Sequence, residues 1–195
     1  MRISPNFTSQ NWKSLDLNNG NDNEWEIAVR VFFDRIHARY IEPVDVLIEL
    51  ESDIEPNKRK FGFTILAIDL LLMETLQAFK EGLPDTKGKS KQVFKNFLKN
   101  SPNFSQYFPD DASRERFYTE FRCGILHQGE VQGKTLVWSL GELYEQVDDL
   151  AVINRNEVHA KLKQDIEEYI DALKNKQNVE LRDKFRNKMN AIANR

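Results

Sequence analysis

Cysteine is nearly absent from this 195-residue chain: Cys123 stands alone, which excludes an internal disulfide framework and a four-cysteine zinc site. Histidine is scarce too. His37, His127 and His159 are scattered, none in an H-E-x-x-H or Cys/His ligand spacing, so no metal and no cofactor is expected. Eight glycines and six prolines are too few for long disordered linkers. Neither sign of charge dominates. The net charge of -3 leaves no global basicity to announce nucleic acid, and any such site must be a local patch. Long uninterrupted apolar runs are missing as well: the stretch nearest to membrane length, Phe61 to Phe79, carries Asp69 and Glu74, which would be costly in lipid. It reads as a central helix buried in protein, with no membrane partner. The first 22 residues are rich in Asn, Ser and Gly, hold no apolar core of signal-peptide length and read as a mobile tail. A reducing, cytoplasmic setting is the expectation.

What is present is an ordinary globular composition, 40% hydrophobic and 30% charged, enough for one domain with a good-sized core. Trp25, Ala28, Val29, Phe32, Ile36 and Tyr40 recur at helical spacing over Glu24 to Ile41. Pro43 opens a short helix through Leu50, and Pro56 closes that unit. A long helix follows over about 57–80, stopped by Gly82 and Pro84. The next runs from Ser90 to Lys99, and a further one is capped by Asp110 or Asp111 and continues towards Leu126. Thr135 to Trp138 is strand-like. Asn154 caps a helix bearing Val158, Leu162, Ile166, Tyr169 and Leu173, and Leu181, Phe185, Met189 and Ile192 mark the last one. The expected fold is all-α, an antiparallel helical bundle with one short β-hairpin. The division is a flexible tail over 1–22, a helical domain over 23–176, and a C-terminal helix over 177–195 packed on the domain or on a partner.

The most informative segment is FYTEFRCGILHQGE, Phe117 to Glu130. On an α-helical wheel with Phe121 at zero, Phe117 and Ile125 lie about 40° to either side and define the core stripe. Arg122 then falls at about 100° and His127 at about 240°, bordering an outward face with Leu126 at its centre. A second copy of the same helix could cover that face across a two-fold axis. RNA carries its own nucleophile, the 2′-hydroxyl. Cleavage needs a base for that proton, for which imidazole titrates in the right range, and a cation for the phosphate, for which guanidinium offers a planar fork. Spacing alone is thin evidence, because three His and twelve Arg in this length give about 0.2 chance matches to one fixed separation. Context has to carry the rest.

The run Arg122-Cys123-Gly124-Ile125-Leu126-His127 resembles the R-x4-H motif of the HEPN superfamily. FYTEFRCGILHQGE with its following turn-and-strand segment is similar to a bacterial branch of that superfamily, as is Phe61 to Phe79. The resemblance spans roughly Glu24 to Leu173. It implies a helical bundle that dimerises with the motifs at the interface, and frequently a metal-independent endoribonuclease of toxin–antitoxin or anti-phage systems, with RNA as substrate and an antitoxin or regulatory protein as partner. Arg122 and His127 would be the catalytic pair. The place after the arginine, which is Asn, Asp or His in many active members, is Cys123 here. Some members bind RNA or nucleotides without cleaving them.

Other residues have competing readings. Arg122 can be a structural partner of Asp69 or Glu74, which stand about 140° apart on one helix, with Glu74 the better placed to reach the motif. Glu130 can assist His127 or lie in solvent, and Cys123 is a weak candidate nucleophile. Between Thr86 and Pro109, Lys87, Lys89, Lys91, Lys95 and Lys99 alternate with Phe94, Phe97, Phe104, Tyr107 and Phe108 without an acidic residue. They read equally as an RNA-tracking surface or as a core stripe with a solvated back. His37 and His159 read as surface or interface residues, and the basic face of the last helix, Arg182, Lys184, Arg186 and Lys188, as solvated or as an oligomer contact.

Overall fold

A computed structural model describes residues 1–18 and 20–195. It is mostly helical with two small sheets. The N-terminal segment is the first departure from expectation, because it is folded. Strands β1 (Arg2–Ser4) and β2 (Phe7–Thr8) pair antiparallel and lead into α1 (Ser9–Lys13). Thr8 and Asn11 form a reciprocal capping box, which satisfies otherwise orphaned backbone donors. Ile3, Trp12 and Leu17 are buried, and Trp12 Nε1 donates to Asn190 Oδ1 at 2.8 Å. Three well-separated apolar residues produce no periodicity, yet each buries enough surface to hold a short segment in place.

The next helices follow the apolar spacing. α2 (Asp22–Ile36) passes through a π-helical turn, His37–Ile41, into α3 (Glu42–Glu49), with Pro43 in the first turn. After a short 3-10 turn at Pro56–Lys58, α4 (Gly62–Glu81) runs through the middle of the molecule and ends at Gly82 in the left-handed conformation. It is long and apolar enough to cross a membrane, but most of it is buried inside the protein. α5 (Ser90–Asn100) packs along it, and α6 (Asp111–Phe117) begins at a capping box made by Asp110 and Ser113.

In place of a lone hairpin there is a three-stranded sheet: β3 (Thr135–Trp138), β4 (Tyr144–Val147) and β5 (Leu150–Asn154), ordered β3-β5-β4. β4 and β5 form the antiparallel hairpin, while β3 lies parallel to β5 in the register Thr135 to Ala151 through Trp138 to Asn154. β5 was hidden in the sequence because its buried run Ala151 to Ile153 abuts the next helix directly. Asn154 ends the strand and caps α7 (Arg155–Lys174), accepting from the backbone of Asn156 and Glu157. α8 (Val179–Ala193) packs on α1 and α4. Its basic residues are not all solvated. Arg182 is 2% exposed, lies 4.6 Å from the Trp25 ring and donates to the Leu173 and Lys174 carbonyls at the end of α7, where a cation complements the helix dipole.

Two aromatic clusters fill the core. Phe32, Phe79 and Phe185 meet at 4.8 to 5.9 Å between centroids and join α2, α4 and α8. The second, Phe94, Phe108, Phe117, Phe121 and Tyr144, ties α5, α6 and β4 to the segment carrying Arg122. Such pairs contribute roughly 0.5–1.5 kcal/mol each beyond area burial. The second cluster therefore fixes the seat of the motif.

Candidate functional site

The backbone around Arg122 is wound differently from the wheel assumed above. Tyr118–Gln128 is a π-helix, closed by Gly129 in the left-handed conformation (φ 68°). Its hydrogen bonds run i to i+5, so residues five apart stack along the axis where an α-helix would rotate them away. The core stripe survives: Phe117, Phe121 and Ile125 are buried. The relation of Arg122 to His127 changes. They do not border opposite sides of a face; Arg122 Nη1 lies 2.9 Å from His127 Nε2. Guanidinium has only donors, so Nε2 accepts and the imidazole proton sits on Nδ1.

Glu74 supplies the other half of the arrangement. Arg122 Nη2 donates to Glu74 Oε2 at 2.9 Å, and the same carboxylate accepts the hydroxyls of Thr86 and Ser90 at 2.6 Å each. Three charge-assisted bonds converge on one buried carboxylate. The Tyr118 ring lies 5.5 Å from the guanidinium carbon, a cation–π contact worth about 0.5–2 kcal/mol. Burial pushes the Tyr118 phenol up, the neighbouring Cys123 thiol adds to that, and Ser90 and Arg122 oppose it. Arg122 Nε is buried without a partner. The guanidinium is thus held on three sides while His127 stays exposed.

Gly124 explains how the chain returns over the motif. A Cβ there would collide with the Glu130 carbonyl oxygen, and Gln132 N donates to Glu120 O at 3.0 Å. Glu130 therefore meets the motif through its backbone, and its side chain is exposed. Cys123 is half-buried beside Tyr118.

The lysine series divides. Phe94, Phe97, Phe104 and Phe108 are fully buried, so they stack on the core and are closed to bases. Lys91 pairs with Glu115, and Lys95 with Asp111 and Glu115 at 2.8 and 3.2 Å; the acids sit on α6, opposite α5. Lys87, Lys89 and Lys99 remain exposed. His159 is not a surface residue. It is 2% exposed, with Nδ1 2.8 Å from Asp69 and Nε2 3.2 Å from Asp45, and Lys163 completes the cluster by pairing with Asp45 at 2.8 Å. Half-buried His37 stacks on Phe33 at 5.2 Å. Among the described residues no three His, Cys, Asp or Glu gather as a metal would require.

Thr86, Ser90 and Tyr118 were not singled out from sequence. Tyr118 carries a signal, four residues before Arg122 on the same turn of a regular helix; the two hydroxyls carry none, because their role depends on where the α4–α5 loop lands. No protein-family model, no curated protein and no solved structure matches this chain.

Proposed function

We propose that this chain is a metal-independent endoribonuclease of the HEPN type, acting as a toxin or anti-phage component, with its site completed at a homodimer interface. The observation that supports this reading is the contact between Arg122 and His127, made by the π-helix and restrained by Glu74. In the resting arrangement the His127 Nε2 lone pair is occupied by Arg122. An RNA phosphate offers Arg122 Nη1 a better acceptor, and its binding releases Nε2 to take the 2′-hydroxyl proton. The oxygen then attacks the adjacent phosphorus, the 5′-oxygen leaves, and a 2′,3′-cyclic phosphate remains. Arg122, tethered by Glu74, stabilises charge on the phosphate. A second copy of the motif would bring a second imidazole to protonate the leaving oxygen, and an antitoxin or regulatory protein would act by covering the exposed His127.

Purified protein incubated with RNA in chelator should yield fragments with cyclic phosphate ends, and Arg122→Ala and His127→Ala should abolish them. Equal cleavage by wild type and both variants overturns the proposal. A second reading, a non-catalytic RNA- or nucleotide-binding module, is favoured by one feature: both terminal nitrogens of Arg122 already have protein partners. RNA binding without fragments selects it.

A further inference from the structure

Beside the Arg122 site, cations distant in sequence join the Lys87 and Lys89 end of the lysine series. Four cations converge from the end of α2 with its π-turn and from the end of α8: Arg39 and Arg195 are exposed, while Arg35 is half-buried and Lys188 buried behind them. Arg35 Nη1 donates to the Ile3 carbonyl at 2.6 Å and Arg39 Nη2 to the Arg2 carbonyl at 3.2 Å, so both heads lie along β1. Lys188 Nζ and Arg195 Nη2 share the Pro84 carbonyl at 3.2 Å each. The two pairs stand in one another's field. Burial, then Arg39 and Arg195, lower the proton affinity of Arg35, with Tyr40 opposing. Burial, then Arg195 and Arg35, do the same to Lys188, with Asp85 and Glu74 opposing. All four donate to backbone carbonyls, and among the described residues none forms an ion pair with a carboxylate. Gathering like charge in this way costs folding energy, and a polyanion would relieve it.

The surface is continuous with the site. Pro84 belongs to the α4–α5 loop, whose Thr86 and Ser90 are bonded to the same Glu74 that holds Arg122. Lys87 and Lys89 flank Gly88 (φ 72°) at the tip of that loop, exposed and, among the described residues, without an ion pair. We propose that this surface, from Arg39 and Arg195 through the Lys87 and Lys89 tip, is a track for the phosphodiester backbone that leads single-stranded RNA to Arg122 and His127. The inference rests on the RNA-cleaving reading for the identity of the polyanion. It narrows the substrate: a single strand long enough to reach both the track and the site binds more tightly than a dinucleotide.

The test is anisotropy of a labelled single-stranded RNA as a function of salt, in the His127→Ala background to prevent cleavage. Arg39→Ala/Arg195→Ala removes two exposed contacts, and Lys87→Ala/Lys89→Ala removes two others on an exposed loop, so one pair remains informative if the other perturbs folding. Each pair is expected to weaken binding several-fold and to flatten the plot of log K against log salt by about 1.4, at about 0.7 per phosphate contact. Affinity and slope unchanged in both pairs overturn the track, as does pair-dependent binding to phosphatidylserine vesicles with none to RNA. The two proposals fail separately. Track-dependent binding with no fragments from wild type supports the track and removes the nuclease; fragments with track-independent binding do the reverse.

Discussion

α4 carries two buried carboxylates, each joined to a histidine, and they are held in opposite ways. Asp69 is fully buried, meets His159 directly at 2.8 Å, and leaves Oδ2 without a partner. Burial pushes its carboxyl up, against the pull of His159. Glu74, five residues on, receives a guanidinium and two hydroxyls and reaches His127 only through Arg122. Asp69 thus sits in a chain that ends in the partly exposed Asp45 and Lys163, all of it internal bookkeeping between α3, α4 and α7. Glu74 has its charge fully met, and the histidine at the end of its chain is open to solvent. A satisfied carboxylate with an exposed histidine suits a site; an under-satisfied one with a buried histidine suits a core.

The largest expected effect tests the Glu74 side. Glu74→Ala leaves Arg122, only 13% exposed at its side chain, without a counter-charge and should cost about 3–5 kcal/mol in urea unfolding. Loss under 1 kcal/mol would mean that Arg122 simply turns to solvent. Gly124→Ala comes next. The added methyl must push the Glu130 backbone aside, for about 1–3 kcal/mol, and, on the proposed nuclease reading, it should reduce cleavage through the motif's geometry while leaving the Phe32, Phe79 and Phe185 cluster packed, as a retained cooperative urea transition would report. Asp69→Asn should be the mildest, at about 1 kcal/mol or less, because the buried carboxylate already lacks one partner. A larger loss than for Glu74→Ala would invert the comparison.

The pH dependence sharpens the same contrast. Burial raises the Asp45 carboxyl, but Lys163 and then His159 outweigh it, so the group is held below its ordinary value. Its stabilisation is present above an unfolded value of about 3.9 and is lost as pH falls through the lower folded one. Asp69, held high, has the opposite sign: between its raised folded value and about 3.9 the native state binds the extra proton, so it adds stability as pH falls. Asp69→Asn should therefore lose stability more steeply on acidification across that window. Parallel curves from urea melts at several pH values would show that the buried carboxyl is not protonated there.

The helices were legible where apolar residues repeat: α2, α4, α5, α7 and α8 all stand on such stripes, and the caps Asp110 and Asn154 were readable from residue type alone. The N-terminal elements escaped because Ile3, Trp12 and Leu17 are too far apart to form a pattern, and β5 because a strand running straight into a helix has no turn to mark it. At the site, residue types were legible and geometry was not. Arg122, His127 and Glu74 could be picked from sequence, but the wheel placed the first two far apart, since no residue in Tyr118–Gln128 signals a wider winding. The lysines of α5 looked free because their partners, Asp111 and Glu115, lie on a different helix. The converging cations escaped for the same reason, being separated by more than 140 residues.

The π-helix makes the nearness of Arg122 and His127 a matter of winding and not of sequence spacing. Tightening the segment by one residue per hydrogen bond, from i+5 to i+4, would swing the imidazole away from the guanidinium. Deleting one residue between them has the opposite consequence, because two residues four apart on an α-helix remain neighbours on one face. The segment works as a caliper: the gap between its jaws is set by the pitch of the screw.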